Sequence, residues 1–330
     1  MITRLFGPDI GNLQELPATG LVYIDDHIGH DEDLTGFDHL HSLLDVSDCN
    51  VILEYASVHC IDPKFAHRVM CLPLQTFHTS YVLSKLVPQR PCANKIAVFN
   101  FCMNKIRKNR QYLLQKLSAQ QLVTHNYSVN WSTNTGFPNR YFIGGQADKK
   151  VDNINNGAWS NLENFEGFLR PAVYEPTFVS MITEPGWQHC IAFVSEKTVF
   201  AIEGNTIPLW FGGYGQADYL ESLGFDIFAD IVDHSYQWDP DGQTRMDLAI
   251  DLNMKLLCDH QRLDQFYQDN QSRFDKNRAL MRSNQWFYDH LSREINRTGW
   301  SNVEITQIFT ELVIENNYQW PQSFGRVANV

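Results

Sequence analysis

Residues 193–213, FVSEKTVFAIEGNTIPLWFGG, decide how the rest of the chain is read. An apolar run closes on Ser195, and a charged pair, Glu196 and Lys197, follows it. The next residues have helix-like spacing, and IPLWFG (207–212) reads as a strand that runs out into glycines. Strand, helix and strand in that order form the unit of a parallel sheet, because parallel neighbours need a crossover and a helix is the usual one. Ser195 suits the N-cap of this helix, since its hydroxyl can accept from the first free amides. The junction is equally a place for a bound anion: unpaired N–H groups and the positive end of the helix dipole converge there.

The same alternation extends in both directions. PTFVSMITE (176–184) is a strand ending in Glu184, and IAFV (191–194) is another that leads into the junction. ADYLESLGF (217–225) is a short helix closed by Gly224. KIAVFNF (95–101) opens this unit as a strand, and NKIRKNRQYLLQKL (104–117) follows as an amphipathic helix with Ile106, Leu113, Leu114 and Leu117 on its core side. Nearer the start, GLVYIDD (20–26) and CNVILEYA (49–56) are apolar runs closing on acids, separated and followed by helical patterns at 35–46 and 77–87. VPQRPCAN (87–94) breaks the periodicity with two prolines. The expected architecture is α/β with two Rossmann-like lobes, at 1–92 and 93–255, and a helical segment at 256–330 packing across them. Three or four helices are expected from about 243 onward, and 133–170, rich in Asn, Gly and aromatics, reads as a long irregular insertion.

Composition narrows the function. The chain has 330 residues, 43% of them hydrophobic and 19% charged, which suits a globular protein with a sizeable core. A net charge of -12 repels phosphate backbones and acidic membranes, so nucleic acid is a disfavoured partner. The seven cysteines are scattered without a CxxC, which predicts reduced thiols and a cytoplasmic location. No apolar run is long enough for a transmembrane segment, and no secretory leader is expected.

Ligands of open α/β sheets bind beyond the carboxyl ends of the strands. Three such ends carry polar residues here: Glu184; then Ser195, Glu196 and Lys197; then Gly212, Gly213 and Gly215. A diphosphate fits this rim, with Lys197 and an arginine as counter-charges and Glu196 accepting from ribose hydroxyls. FGGYGQ (211–216) lacks both GxGxxG spacing and a P-loop lysine, so nucleotide-sugar binding rests on the rim and not on a phosphate-loop motif.

VSEKTVFAIEGNTIPLWFGG resembles the donor-site motif of the α-1,3-fucosyltransferase family and its phage and bacterial relatives. There a small residue, Glu and Lys open a helix, and a Pro-led strand ending in Gly follows. FVSMITEP before it and ADYLESLGFDIFADIVDHSY after it are similar to the flanking segments, so the likeness spans roughly 177–250. KIAVFNFCMNKIRKNRQYLLQKL resembles the opening of that family's donor domain, with Arg110 seven residues before Leu117 and Arg107 as the competing arginine. The resemblance implies a GT-B fold, in which two Rossmann-like lobes face a cleft, with 1–92 as the acceptor-side lobe and 93–255 as the nucleotide-sugar donor lobe. It also implies Arg110 and Lys197 on the donor diphosphate, Glu196 on its ribose, and transfer without a cofactor or required metal. Residues 1–92 and 133–170 do not follow the family pattern.

An inverting transfer needs a base in the first lobe for the acceptor hydroxyl. Glu54, at a strand end, is the first candidate; Asp25 and Asp26 share its rim position, and His27 and His59 stay open. HIGHDED (27–33) lacks HxxxH or HExxH spacing, and DPDG (239–242) reads as a tight turn, so no metal site is expected. Trp159, Phe165 and Phe168 are candidates to stack on a base or sugar, with buried core as the preferred reading for any one of them. The sequence therefore predicts a Leloir hexosyl- or pentosyltransferase acting on a glycan or other hydroxyl. The alternatives are a phage-type enzyme acting on hydroxymethylated pyrimidine in DNA and a non-catalytic nucleotide-sugar-binding module.

Overall fold

The computed structural model describes residues 2–6, 14–25, 35–54, 61–86, 89, 94–101, 108–122, 140–143, 146–150, 174–184, 187–188, 192–308 and 310. The expectations placed on Asp26, His27, His59, Arg107, Trp159, Phe165 and Phe168 lie outside these residues, as does the side chain of Asp25.

Two parallel sheets organise the chain, giving a mixed α/β protein. The first has the order β1-β2-β3-β4, from Thr3–Phe6, Leu21–Asp25, Asn50–Leu53 and Val69–Cys71. Leu21 pairs with Asn50, and Ile52 with Met70. Helix α1 (Thr35–Asp45) connects β2 to β3, and α2 (Leu74–Leu86) follows β4. The second sheet has the order β5-β8-β9, from Ala97–Phe101, Thr177–Thr183 and Ile207–Phe211. Every residue of its strands is buried, as a sheet covered on both faces requires. Pro208 cannot donate to a ladder, and it sits in β9 at the edge of this sheet. Helix α3 (Lys108–Ala119) follows β5; α4 (Glu196–Glu203) joins β8 to β9; α5 (Gln216–Ser222) comes next.

Within the expected irregular insertion, Arg140–Ile143 (β6) and Gln146–Lys150 (β7) pair antiparallel. The residues between them are Gly144 and Gly145, a dipeptide that favours tight hairpins, and the polar run QADKK hid the strand after it. The carboxyl-terminal part holds five described helices instead of three or four: α6 (Gly242–Leu257), α7 (His260–Asp269), α8 (Gln271–Ser283), α9 (Gln285–Thr298) and α10 (Asn302–Gln307). The breaks have local causes. Asp259 accepts from Arg262 N at 2.9 Å to start α7, and Asn284 (φ 59°) and Gly299 (φ 66°) take the left-handed conformation that ends a helix.

The largest core cluster joins residues from both sheets and the helices, including Ile52, Met70, Val199, Trp210, Trp286 and Phe287. Phe77 of α2 stacks on Phe287 of α9 with ring centroids 4.0 Å apart. Helix α8 packs on α2 and α4, while α9 packs on α8 and β4. Arg282 of α8 donates to both oxygens of Glu203, at 2.9 Å from Nε to Oε1 and 2.7 Å from Nη2 to Oε2, which fixes α8 on the carboxyl end of α4.

A second arginine fastens α8 to the loop after α5. Arg273 forms two hydrogen bonds with Asp226 (2.6 and 2.9 Å) and two with Asp230 (both 2.8 Å), and its guanidinium lies over Phe228, 5.0 Å from the ring centroid. Burial pushes Asp226 up, but the Arg273 hydrogen bonds outweigh it and hold the carboxyl below the usual range; the same bonds lower Asp230. Both folded values lie below the unfolded one of about 3.9, so this stabilisation is complete above roughly pH 4 and lost as pH falls through the folded values. Arg273→Ala is expected to cost about 1 to 2 kcal/mol at neutral pH. It should also flatten the acid limb of a pH-resolved urea denaturation series.

Candidate functional site

The segment 192–195 is not the strand its apolar residues suggest. Its backbone is satisfied by side chains from three directions. Gln216 accepts from Phe193 N at 3.0 Å and donates to Phe193 O at 2.6 Å, copying a ladder partner with one amide. Thr76 of α2 donates to Val194 O, and Glu184 accepts from Ser195 N at 3.1 Å. The segment also sits against the first sheet, because Phe193 belongs to the cluster of Val22, Ile24 and Leu53.

That course delivers the chain to the start of α4. Ser195 is extended (φ -104°, ψ 176°), and its hydroxyl accepts from Lys197 N at 3.3 Å, so it is the N-cap that the sequence predicts. The buried Glu184 lies beneath this turn. Its Oε1 accepts from Ser195 N and, at 3.4 Å, from Thr198 Oγ1, which in turn accepts from Trp210 Nε1 at 3.1 Å. Its Oε2 is buried without a hydrogen-bond partner, 3.9 Å from Lys197 Nζ. Lys197 Nζ donates to Glu196 Oε1 at 3.1 Å and Ser195 Oγ at 3.2 Å. One ammonium therefore stands between two carboxylates at a helix start, with one carboxylate oxygen still to be satisfied.

Burial raises the Glu184 carboxyl above its ordinary value, and Lys197 offsets only part of that rise. An acid whose folded pKa is raised holds its proton longer in the folded state. Stability therefore falls as pH climbs from the unfolded value of about 4.3 to the folded one, and is flat beyond it. Glu184→Gln is expected to remove this slope and to leave neutral-pH stability within about 1 kcal/mol of wild type, which chemical denaturation across pH 4–8 will read.

Arg110 reaches the same place from α3. It is buried, and its Nε donates to Thr183 Oγ1 at 3.1 Å, one residue before Glu184. Its neighbour Asn109 donates to Glu184 O at 3.2 Å and accepts from Arg110 N at 2.8 Å, so the start of α3 is fastened to the carboxyl end of β8. Gly212 completes the rim: a Cβ there would stand 3.4 Å from Glu184 Cβ and 3.3 Å from Gln216 Oε1. Gly213 follows it in the turn to α5. The first amides of α5 are already used, because Gln237 Oε1 accepts from Ala217 N at 2.8 Å and Asp218 N at 3.2 Å. Amides at both helix starts are capped, since Ser195 Oγ accepts from Lys197 N; α4 differs in carrying an ammonium there, where α5 carries the carboxylate of Asp218.

The structure brings Glu184, Ser195, Glu196, Lys197 and Gly212 together at the ends of β8 and β9, and places the Arg110 side chain on Thr183, one residue before Glu184. Glu54 stands on the other sheet, just past β3, buried and accepting from Tyr23 Oη at 2.6 Å. Asp25 ends β2, in register with Phe6. Sequence reasoning missed the residues that hold the rim: Thr76, Asn109, Gln216, Gln237 and Arg245. Arg245 is buried in α6 and donates to the carbonyls of Gly212 (3.4 Å), Asp239 and Trp187. Only a glutamine following a glycine turn, as Gln216 does, offered a local hint.

Among the described residues there is no group of three or more His, Cys, Asp or Glu side chains placed to hold a metal ion. Among them, too, no helix is long and apolar enough to cross a membrane. Compared with protein-family models, curated proteins and solved structures, the chain matches none.

Proposed function

We propose that this protein is a GT-B glycosyltransferase of the Leloir type, which moves a sugar from a nucleotide-diphosphate sugar to an acceptor hydroxyl in the cytoplasm. The observation that carries the reading is Lys197, held at the start of α4 over the buried and half-satisfied Glu184. In this account Lys197 and the α4 amides bind the donor diphosphate, with Arg110 as the second cation, and Glu196 accepts from the ribose. Glu184 sets the position of Lys197 and Ser195, and the turn at Gly212 and Gly213 borders the nucleotide.

The chemistry follows from charge. As the bond between the anomeric carbon and the diphosphate breaks, negative charge grows on the leaving oxygen, and fixed cations with helix amides lower the energy of that state without a required metal. The acceptor hydroxyl attacks from the opposite face with inversion, and its proton passes to a carboxylate of the first sheet. Glu54 holds that role, with Asp25 and Asp26 as the other rim acids. A glycan hydroxyl is the acceptor that a charge of -12 favours over a nucleic acid.

A thermal-shift screen of nucleotide sugars tests the reading, since a ligand that binds only the folded state stabilises it by about 2.7 kcal/mol at a hundred times its Kd. Stabilisation by one base and sugar class, followed by release of the nucleoside diphosphate when a glycan acceptor is added, is expected. Stabilisation without release in the presence of any acceptor would favour the binding module, and no stabilisation by any nucleotide sugar would sink the proposal.

A further inference from the structure

Next to the candidate diphosphate site, Tyr214 on the turn from β9 to α5 pairs with Trp238, the last residue of the 3-10 turn Ser235–Trp238. Trp238 is 46% exposed, and Tyr214 meets it edge-on with ring centroids 4.9 Å apart and planes at 79°. The indole lies against Gly215, where a Cβ would stand 3.3 Å from Trp238 Cη2 and 3.4 Å from Cζ3. Gly215 is also left-handed (φ 69°), so both backbone conformation and space require glycine there.

The residues on both sides of Trp238 are anchored. Gly215 N donates to Gln237 O at 3.3 Å, the Gln237 side chain caps α5, and Arg245 donates to Asp239 O. Trp238 is thus held by its neighbours with nearly half of its surface open. Its distance from the phosphate site is set through Gly215, against which the indole lies. Gly212 abuts Glu184, which faces Lys197, and the three residues from Gly212 to Gly215 span at most about 11 Å.

We propose that Trp238, edged by Tyr214, is the platform on which the nucleobase of the donor stacks. This rests on the nucleotide-sugar reading above and adds to it the group that holds the base. A base has an apolar face whatever its identity, and only the ribose separates it from the diphosphate, so an aromatic ring packed on the turn that leaves the phosphate rim is the matching surface. The platform belongs to the second sheet, with α4 and Lys197, whereas the acceptor is assigned to the first.

Calorimetric titration of guanosine diphosphate, uridine diphosphate and inorganic pyrophosphate into wild type, Trp238→Ala, Trp238→Phe and Lys197→Ala decides the matter. Trp238→Ala is expected to weaken whichever nucleoside diphosphate wild type binds by about fivefold to a hundredfold, to leave pyrophosphate unchanged, and to keep the wild-type melting temperature. Trp238→Phe should recover most of the loss, and Lys197→Ala should weaken all three probes. The platform is overturned if Trp238→Ala binds the nucleoside diphosphate like wild type, or if it loses pyrophosphate equally. Wild type binding pyrophosphate as tightly as either nucleotide overturns the platform alone. Wild type binding none of the three overturns the donor site with it.

Discussion

Lys197→Ala is expected to weaken nucleoside-diphosphate binding by about a hundredfold or more, because truncating one side of a desolvated charge pair typically costs upward of 2 kcal/mol. The protein should stay folded. Lys197 is part-buried, and its contacts are with Glu196, the Ser195 hydroxyl and, more distantly, Glu184. Without the ammonium, burial and the Glu196 charge push the Glu184 carboxyl up against only the Ser195 hydrogen bonds, and it can take a proton instead of remaining a buried unpaired charge. The cost in stability is therefore about 1 kcal/mol, small beside the loss in affinity. Paired melting and titration curves on one preparation separate the two effects, and a parallel loss of both would mean that Lys197 serves the fold instead of a ligand.

Glu294→Ala is expected to produce the largest loss of stability, about 3 kcal/mol, or roughly 4 °C in melting temperature. The strand β4 lies at the edge of the first sheet, and side chains of α9 close that edge. Glu294 Oε2 accepts from Cys71 N at 2.9 Å, His290 Nε2 meets Cys71 O at 2.7 Å, and Arg297 donates to Val69 O at 2.7 Å and to Ala66 O. Arg297 is itself held by Glu294, at 3.0 Å from Nε and 2.6 Å from Nη2. Burial lowers the His290 pKa, so the ring is neutral, with its Nε2 proton on the carbonyl. Removing Glu294 leaves a buried amide without an acceptor and a half-buried guanidinium without its carboxylate, and both penalties add. Glu294→Gln should recover part of the loss, since its amide oxygen can still accept from Cys71 N. Equal stability of the alanine and glutamine variants would show that the acceptor function contributes nothing.

The parts of the fold that were legible in the sequence are those with strong local signals. The buried runs of β2, β3, β5, β8 and β9 are long enough to read, and the Ser195 cap sits where a serine precedes an apolar helical pattern. The strands β1 and β4 give no such signal, because TRLF is half polar and VMC is only three residues long. The run at 192–195 was misread for a different reason: its residues are apolar like a strand's, but its backbone partners are Gln216, Thr76 and Glu184 side chains distant in sequence. The rim followed the same division. Glu184, Ser195, Glu196, Lys197 and Gly212 were found from strand ends and the helix start. Arg245, which lies 33 residues beyond the carbonyl of Gly212 that it holds, has no local pattern that would reveal it.

The most direct test of the central claim is a crystal structure with the best-stabilising nucleotide sugar bound. The diphosphate is expected within hydrogen-bond distance, about 2.7 to 3.2 Å, of Lys197 Nζ and of an amide in the first turn of α4, with Glu196 on the ribose hydroxyls. A diphosphate seated elsewhere, with Lys197 still bridging Glu184 and Glu196 as it does here, would contradict the account.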